Sequence, residues 1–331
     1  MKNKSVQIFS LFLILFSSTL FAQKKSTISG QVIDSVTGEP VFYVNVFLEN
    51  TTEGTTTDAE GFFSIRNIPP GIYNLIVQHI GYEIKVLQVH LLRPDSLKYN
   101  ILIKPRVIAG KELHVFANRP SEWKKNLEKF TKIFIGTDRN AQKARIENPQ
   151  VIDFFTDSKT NTFRAEAHDV ILVNNQALGY RVHIILRSFT FSETGGNYRI
   201  HTHFELLTPR DENERREWGE NRRQTFSGSL KHFLSALARD KLDEEGFEIY
   251  GANYYLSRDK SWIRKFYFDG TLRIVYRKKH VNYISLEKKY ALIDRLGNLL
   301  TPLAITKSGE WYNERIADLL PWDYHPNAEN E

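Results

Sequence analysis

Between residues 26 and 117 a turn signal falls about every ten residues, and the stretches between the turns alternate polar with apolar positions. In Ile28-Ser29-Gly30-Gln31-Val32-Ile33-Asp34 small or apolar side chains take every second place. Val44, Val46 and Leu48 point one way, with Asn45 and Glu49 the other. Asp34-Ser35-Val36-Thr37-Gly38, Asp58-Ala59-Glu60-Gly61, Pro69-Pro70-Gly71 and Gly81-Tyr82 break the pattern with residues that favour tight turns. A period of two interrupted this often leaves no room for helices. It predicts a small β-sandwich.

The same residues carry a resemblance. Gly30-x-Val32-x-Asp34-x-x-Thr37-Gly38-x-Pro40 is followed by Gly54-Thr55-x-Thr57-Asp58-x-x-Gly61-x-Phe63-x-Ile65, then Pro70-Gly71-x-Tyr73 and Gly81-Tyr82. This series resembles the carboxypeptidase regulatory-like domain. The resemblance implies a prealbumin-like, seven-stranded sandwich, of the kind found at the N-terminus of Bacteroidota outer-membrane transporters and of surface or periplasmic proteins. It implies no peptidase activity. Zinc carboxypeptidases use a His-x-x-Glu pair, and no histidine of this sequence has glutamate three positions later. About 210 residues follow the module, too few for both the plug and the large barrel of such a transporter, which uses 22 strands. Asp58 and Glu60 supply too few oxygens for calcium, so the segment reads as a plain turn. Gly61 and Gly71 are the positions where a valine should cost stability if the native φ is positive.

Ahead of the module, Lys2, Lys4, the apolar run Ile8 to Leu15 and Ala22 before Gln23 read as a secretory signal over residues 1–22. The run is short of the ~20 residues a spanning helix needs, and no later stretch is apolar enough, so the mature chain is expected to have no transmembrane segment. The formal net charge of +6 includes those two lysines, which leaves +4 on the rest. With acids interleaved among the bases, that surplus does not point to nucleic acid. The chain has no cysteine, which excludes disulfides, thiolate metal sites and cysteine nucleophiles.

Residues 118–331 read as one α+β domain with a largely antiparallel sheet, which makes the whole a multi-domain chain. Ser121 caps a helix with Trp123, Leu127, Phe130 and Phe134 on one face. Strand-like stretches follow at 149–156, 162–173, 180–191 and 198–208, with Gly195-Gly196 in a hairpin turn. A helix from Asp211 carries Trp218 as its only large apolar residue and reads as an exposed projection, with Asp211–Arg215 and Glu212–Arg216 as pairs. Leu230, Phe233, Leu234, Leu237 and Ala238 form the stripe of a buried helix, and strands return from residue 247. The order of elements resembles the C-terminal part of uncharacterised Bacteroidota envelope proteins that carry the same first module, a likeness that supplies no activity.

Chemistry has one sharp candidate. On a strand, His201, His203 and Glu205 project from one face, and two imidazoles with a carboxylate are ligands for zinc or iron. Against it, residues two apart on a strand stand about 6.5–7 Å from each other, too far for three ligands of one ion without help from another strand, such as one carrying His183. Ser229 in Gly228-Ser229-Leu230 lacks the second glycine of a nucleophile elbow and reads as a helix cap. Tyr254, Tyr255, Trp262, Trp311 and Tyr312 are the candidates for stacking on sugar rings in a chain that is 13% aromatic. No catalytic residue and no cofactor is expected. The sequence predicts a non-catalytic binding or assembly protein, exported to the periplasm or the outer membrane, that engages an envelope protein or a glycan. A metal-dependent hydrolase at His201, His203 and Glu205, and a structural accessory of an outer-membrane transporter, are the competing readings.

Overall fold

The computed structural model describes residues 25–91, 95–106, 121–193, 195–257 and 262–326. The signal read at 1–22 lies outside the described residues, as does the boundary read at 117–118.

Seven strands build the first module: β1 (Ser26–Asp34), β2 (Asn45–Leu48), β3 (Gly54–Thr56), β4 (Phe62–Ile68), β5 (Gly71–Gln78), β6 (Lys85–Leu91) and β7 (Ser96–Ile103). They form two sheets in the orders β4-β1-β7 and β3-β2-β5-β6. The alternating apolar residues, among them Ile28, Val32, Val46, Leu48, Ile65 and Leu75, fill the space between the sheets. The module is the seven-stranded sandwich expected from the sequence. β1 and β7 run parallel, and every other ladder in the described residues is antiparallel.

Beyond it, α1 (Ser121–Phe134) lies on an antiparallel sheet of β8 (Ala144–Ile146), β9 (Ile152–Asp157), β10 (Thr162–Ala167), β11 (Ile171–Asn175), β12 (Tyr180–Ser192) and β13 (Gly195–Leu206). β12 is long enough to pair with β11 over its first half and with β10 over its second. β13 runs along its other side. Phe130 and Phe134 of α1 are fully buried, and Phe130 packs edge-on against Phe189 of β12.

α2 (Glu212–Phe226) corrects the expectation of an exposed projection. Trp218 is buried, and its Nε1 donates to the Gln176 carbonyl at 2.9 Å. Asn221 Nδ2 and Arg222 Nε donate to the carbonyls of Ala177 and Leu178 at 2.9 and 2.7 Å. The helix is thus fastened to the β11–β12 turn by polar side chains that saturate its carbonyls, not by an apolar stripe. Gly179 (φ +68°) makes room for the indole. The charge pairs also differ: Glu212 meets Arg215, and Glu214 meets Arg210.

α3 (Leu230–Ala238) is the buried helix expected, with Ser229 capping it through a bond from the His232 amide at 3.1 Å. It shares a core with β14 (Phe247–Gly251), β15 (Tyr254–Leu256), β16 (Ile263–Phe268), β17 (Thr271–Tyr276), β18 (His280–Leu286), β19 (Ala291–Asp294) and β20 (Ile305–Gly309). These strands form sheets in the orders β14-β17-β18-β20 and β15-β16-β19. The stretch read as one α+β domain therefore holds two separate clusters of buried side chains, one around α1 and β8–β13 and one around α3. No helix among the described residues is long and apolar enough to cross a membrane.

Candidate binding cleft

β13 is an edge strand, and its outer row of amides and carbonyls needs partners. The turn between β2 and β3 provides them. The Asn50 amide donates to the Thr202 carbonyl at 2.7 Å, and the Phe204 amide donates to the Thr51 carbonyl at 3.0 Å. Thr202 Oγ1 adds a bond to Asn50 Oδ1 at 2.7 Å. A C-terminal segment closes the joint: the Trp322 amide donates to the Asn50 carbonyl at 2.6 Å, and the Thr52 amide to Asp323 Oδ1 at 3.1 Å. Lys231 Nζ holds that segment by the Pro321 and Trp322 carbonyls at 2.6 and 3.1 Å. Burial lowers the Lys231 amine to about 8.

His201, His203 and Glu205 do project from one face of β13, but the structure gives each a different partner. His201 Nδ1 lies 2.6 Å from Glu49 Oε1 of the sandwich. His203 Nδ1 donates to the Thr51 carbonyl at 3.1 Å, and its ring lies against Phe47 with centroids 5.0 Å apart. Glu205 accepts from Arg181 Nη1 at 3.3 Å and lies 3.0 Å from His183 Nε2. His183 stands directly opposite His203, as a cross-strand ligand would have to, yet its nitrogen faces Glu205 instead. Among the described residues no three histidine, aspartate or glutamate side chains converge as a metal ion would require. Burial, and secondarily the neighbouring His183, lowers His203 to about 4, so its imidazole is neutral at physiological pH. The charged groups Arg181, Glu205 and Glu147 pair among themselves.

Beside this joint a cleft of about 770 Å³ opens between the sandwich and the six-stranded sheet. Tyr43, Asn45 and Gln78 line it from the sandwich, and Asp169, His183 and Glu205 from the sheet. Asn45 Nδ2 donates to Gln78 Oε1 at 2.9 Å, which leaves the Asn45 carbonyl and the Gln78 amide hydrogens for other partners. Tyr43 is 74% exposed and sits at φ +53°, a left-handed backbone that costs a non-glycine residue about 1–3 kcal/mol. Its ring packs edge-on to that of Phe42.

Of the aromatic residues singled out in the sequence, Tyr254, Tyr255 and Tyr312 are exposed. Trp311 is not. It is a core residue against Phe233, and its Nε1 donates to the Gly228 carbonyl at 2.6 Å. Trp262 is half-buried under the Arg295 guanidinium. None of these lines the cleft. Phe47 and Tyr43 do line it, Phe47 buried and Tyr43 exposed, and the two adjacent aromatic residues between Pro40 and β2 are the signal the sequence offers for the exposed one.

The positions that carried the sequence resemblance prove to be structural pins. Asp34 Oδ1 accepts from the amides of Val36 and Thr37 at 2.7 and 3.1 Å, while Oδ2 accepts from the Tyr82 hydroxyl at 2.8 Å. Asp58 Oδ1 accepts from the Phe62 amide at 2.7 Å, which makes its segment the plain turn expected. Gly38, Gly61 and Gly81 all take positive φ. Residues 28–115 match the family described as the CarboxypepD_reg-like domain. The first module is a carboxypeptidase regulatory-like domain. Carboxypeptidase E of Caenorhabditis elegans is 35% identical over 89 residues, which make up 24% of this chain and 19% of that protein. The chain thus spans about a fifth of the length of that protein. Among solved structures, a cohesin–X-dockerin complex of Acetivibrio cellulolyticus matches with 22% identity over 24% of this chain and 58% of its own, at a TM-score of 0.21. A candidate carbohydrate-binding protein of Bacteroides uniformis matches with 9% identity over 82% of this chain and 99% of its own, also at a TM-score of 0.21.

Proposed function

We propose that this chain is a non-catalytic binding protein of the cell envelope, and that its ligand is a glycan held in the cleft between the regulatory-like domain and the six-stranded sheet. The observation that carries the reading is Tyr43, an aromatic ring held out at the cleft in a costly left-handed backbone beside the amides of Asn45 and Gln78. An aromatic face with convergent amides and a carboxylate is the chemistry that recognises sugar rings: the ring packs on C–H groups and the polar groups bond the hydroxyls. Nearby, His183 is engaged with Glu205 and His203 with the Thr51 carbonyl. The envelope location rests on the signal read at residues 1–22 and on the company that regulatory-like domains keep.

The test is a glycan array followed by titration calorimetry on the full mature chain. Tyr43→Ala is expected to weaken any glycan found by at least tenfold, with circular dichroism unchanged. An array with no binding, or a Tyr43→Ala variant that binds as the parent does, overturns the proposal.

A further inference from the structure

The sheet β15-β16-β19 buries one face and displays the other. Phe266, Phe268, Ala291 and Ile293 point into the core around α3. The outward positions on the same strands include a row of three tyrosines. Tyr255 of β15 stands opposite Tyr267 of β16, with ring centroids 5.9 Å apart. Tyr290, the residue before β19, continues the row 5.5 Å beyond Tyr267. The rings are inclined to one another by 50° and 53°, so they make a ridged surface and not a closed stack. Tyr255 is 57% exposed.

Cations flank the row. Lys265, two residues before Tyr267 and on the same face, places Nζ 5.3 Å from the Tyr290 ring centroid. Lys288 and Lys289 are exposed and immediately precede Tyr290. Three rings and the Lys265 ammonium therefore share one face, and Lys288 and Lys289 lie in the turn that leads into it. The core does not explain the row, because the opposite side chains of these strands already fill it.

We propose that this face binds an acidic polysaccharide. Aromatic rings set across neighbouring strands, about 4.7–4.9 Å from strand to strand, offer successive platforms for the C–H faces of an extended sugar chain. Ammonium groups beside them pair with carboxylate or sulfate substituents by charge-assisted hydrogen bonds. Single-stranded nucleic acid also stacks on rings beside cations. A glycan is the better fit here, since one ammonium, that of Lys265, stands among the rings with two lysines in the adjoining turn, and the chain as a whole interleaves acids with bases at a net charge of only +6. None of these residues lines the cleft, so the inference goes beyond the function proposed above and stands apart from it.

The experiment is affinity electrophoresis of the full mature chain through gels containing polygalacturonate, neutral dextran or poly(dT), at low and high salt. The expected result is retardation by polygalacturonate that is at least five times that by dextran and weakens as salt rises. Tyr267→Ala and Tyr255→Ala should each reduce it several-fold. Lys265→Ala/Lys289→Ala should abolish the preference over dextran. Tyr255→Ala replaces a mostly exposed ring, so its effect is readable even if Tyr267→Ala fails to fold. Tyr43→Ala should leave the retardation unchanged, which separates this face from the cleft. Absence of retardation by polygalacturonate, equal retardation by dextran, equal or stronger retardation by poly(dT), or a Tyr255→Ala variant that migrates as the parent does overturns the proposal.

Discussion

Glu49 Oε1 and His201 Nδ1 lie 2.6 Å apart across the joint between the sandwich and the six-stranded sheet, 152 residues apart in the chain. Both side chains are largely buried, at 12% and 19% exposure. Glu49 also accepts from Asn74 Nδ2 at 2.6 Å, which ties the same carboxyl to β5. One side chain thus connects both sheets that meet there, and the cleft beside it inherits their relative placement.

Removing one partner of such a pair strands the other in a poorly solvated site. Glu49→Ala and His201→Ala are each expected to destabilise the protein by about 1–3 kcal/mol. The double variant should cost less than the two together, because the stranded group is then gone. Urea unfolding of the four proteins checks this, and additive losses would show that the pair does not act as a unit.

Gly61 tests the sandwich itself. Its φ is +75°, and an added Cβ would stand 2.8 Å from the Val32 carbonyl oxygen and 3.0 Å from Pro40 Cβ. Gly61→Val is expected to cost about 1–3 kcal/mol from backbone strain alone, with the contacts adding to it. Gly71 differs: its φ is not positive, and an added Cβ there meets the Tyr73 ring at 2.8 Å. Gly71→Ala should then be rescued in part by Tyr73→Leu, while Gly61→Ala is not. Thermal melts of residues 25–106 and of the full chain read both.

The strands were legible because burial on one face imposes a period of two, as in Ile28, Val32 and the run from Val44 to Leu48. The stripe of α3 was legible for the same reason at a helical period. What escaped has other causes. α2 is docked by Asn221 and Arg222 onto carbonyls of a turn more than forty residues earlier, and no hydrophobic pattern records such bonds. Trp311 is a core residue carried by a short 3-10 turn, where neither period applies. The cleft is formed by residues of β2, β3, β5 and β11–β13 and of the turns beside them, so no one segment contains it. His201, His203 and Glu205 were correctly placed on one face, but their partners Glu49, Thr51 and Arg181 come from elsewhere in the chain.

Two groups should make stability depend on pH in opposite senses. Burial, with Asp138 alongside, raises the Asp318 carboxyl from 3.8 to about 7. A raised carboxyl binds its proton in the folded state first, so the stabilisation is complete below about 3.8 and is lost as pH rises through about 7. Burial lowers His203 from 6.5 to about 4, so its contribution is present above about 6.5 and is lost as pH falls through about 4. At about 1.4 kcal/mol per pKa unit, each amounts to at most a few kcal/mol. Relative to the parent, Asp318→Asn should therefore gain stability as pH rises from 4 to 7. Relative to the parent, His203→Gln should lose stability as pH rises from 4 to 6.5. Urea midpoints across that range measure both slopes, and identical profiles in the two variants would refute the assignment.

The last expectation is that the purified chain carries no stoichiometric transition metal and that a chelator leaves its melting temperature unchanged. A zinc ion takes nitrogen or oxygen ligands at about 2.0–2.2 Å and, with no cysteine in the chain, would have to draw on imidazoles and carboxylates already in use. Recruiting His201 means breaking its 2.6 Å contact with Glu49 at the joint. Recruiting His203 through Nδ1 removes the donor to the Thr51 carbonyl. Recruiting Glu205 strips Arg181 and His183 of their shared partner. Each exchange costs a hydrogen bond in a partly buried place, and together they would loosen the contact that holds the sandwich on the sheet. Elemental analysis of protein purified without a histidine tag, beside His201→Ala/His203→Ala, decides the matter. About one zinc or iron per chain in the parent, absent from the variant, would show that the joint rearranges around a metal and would promote the hydrolase reading over the binding one.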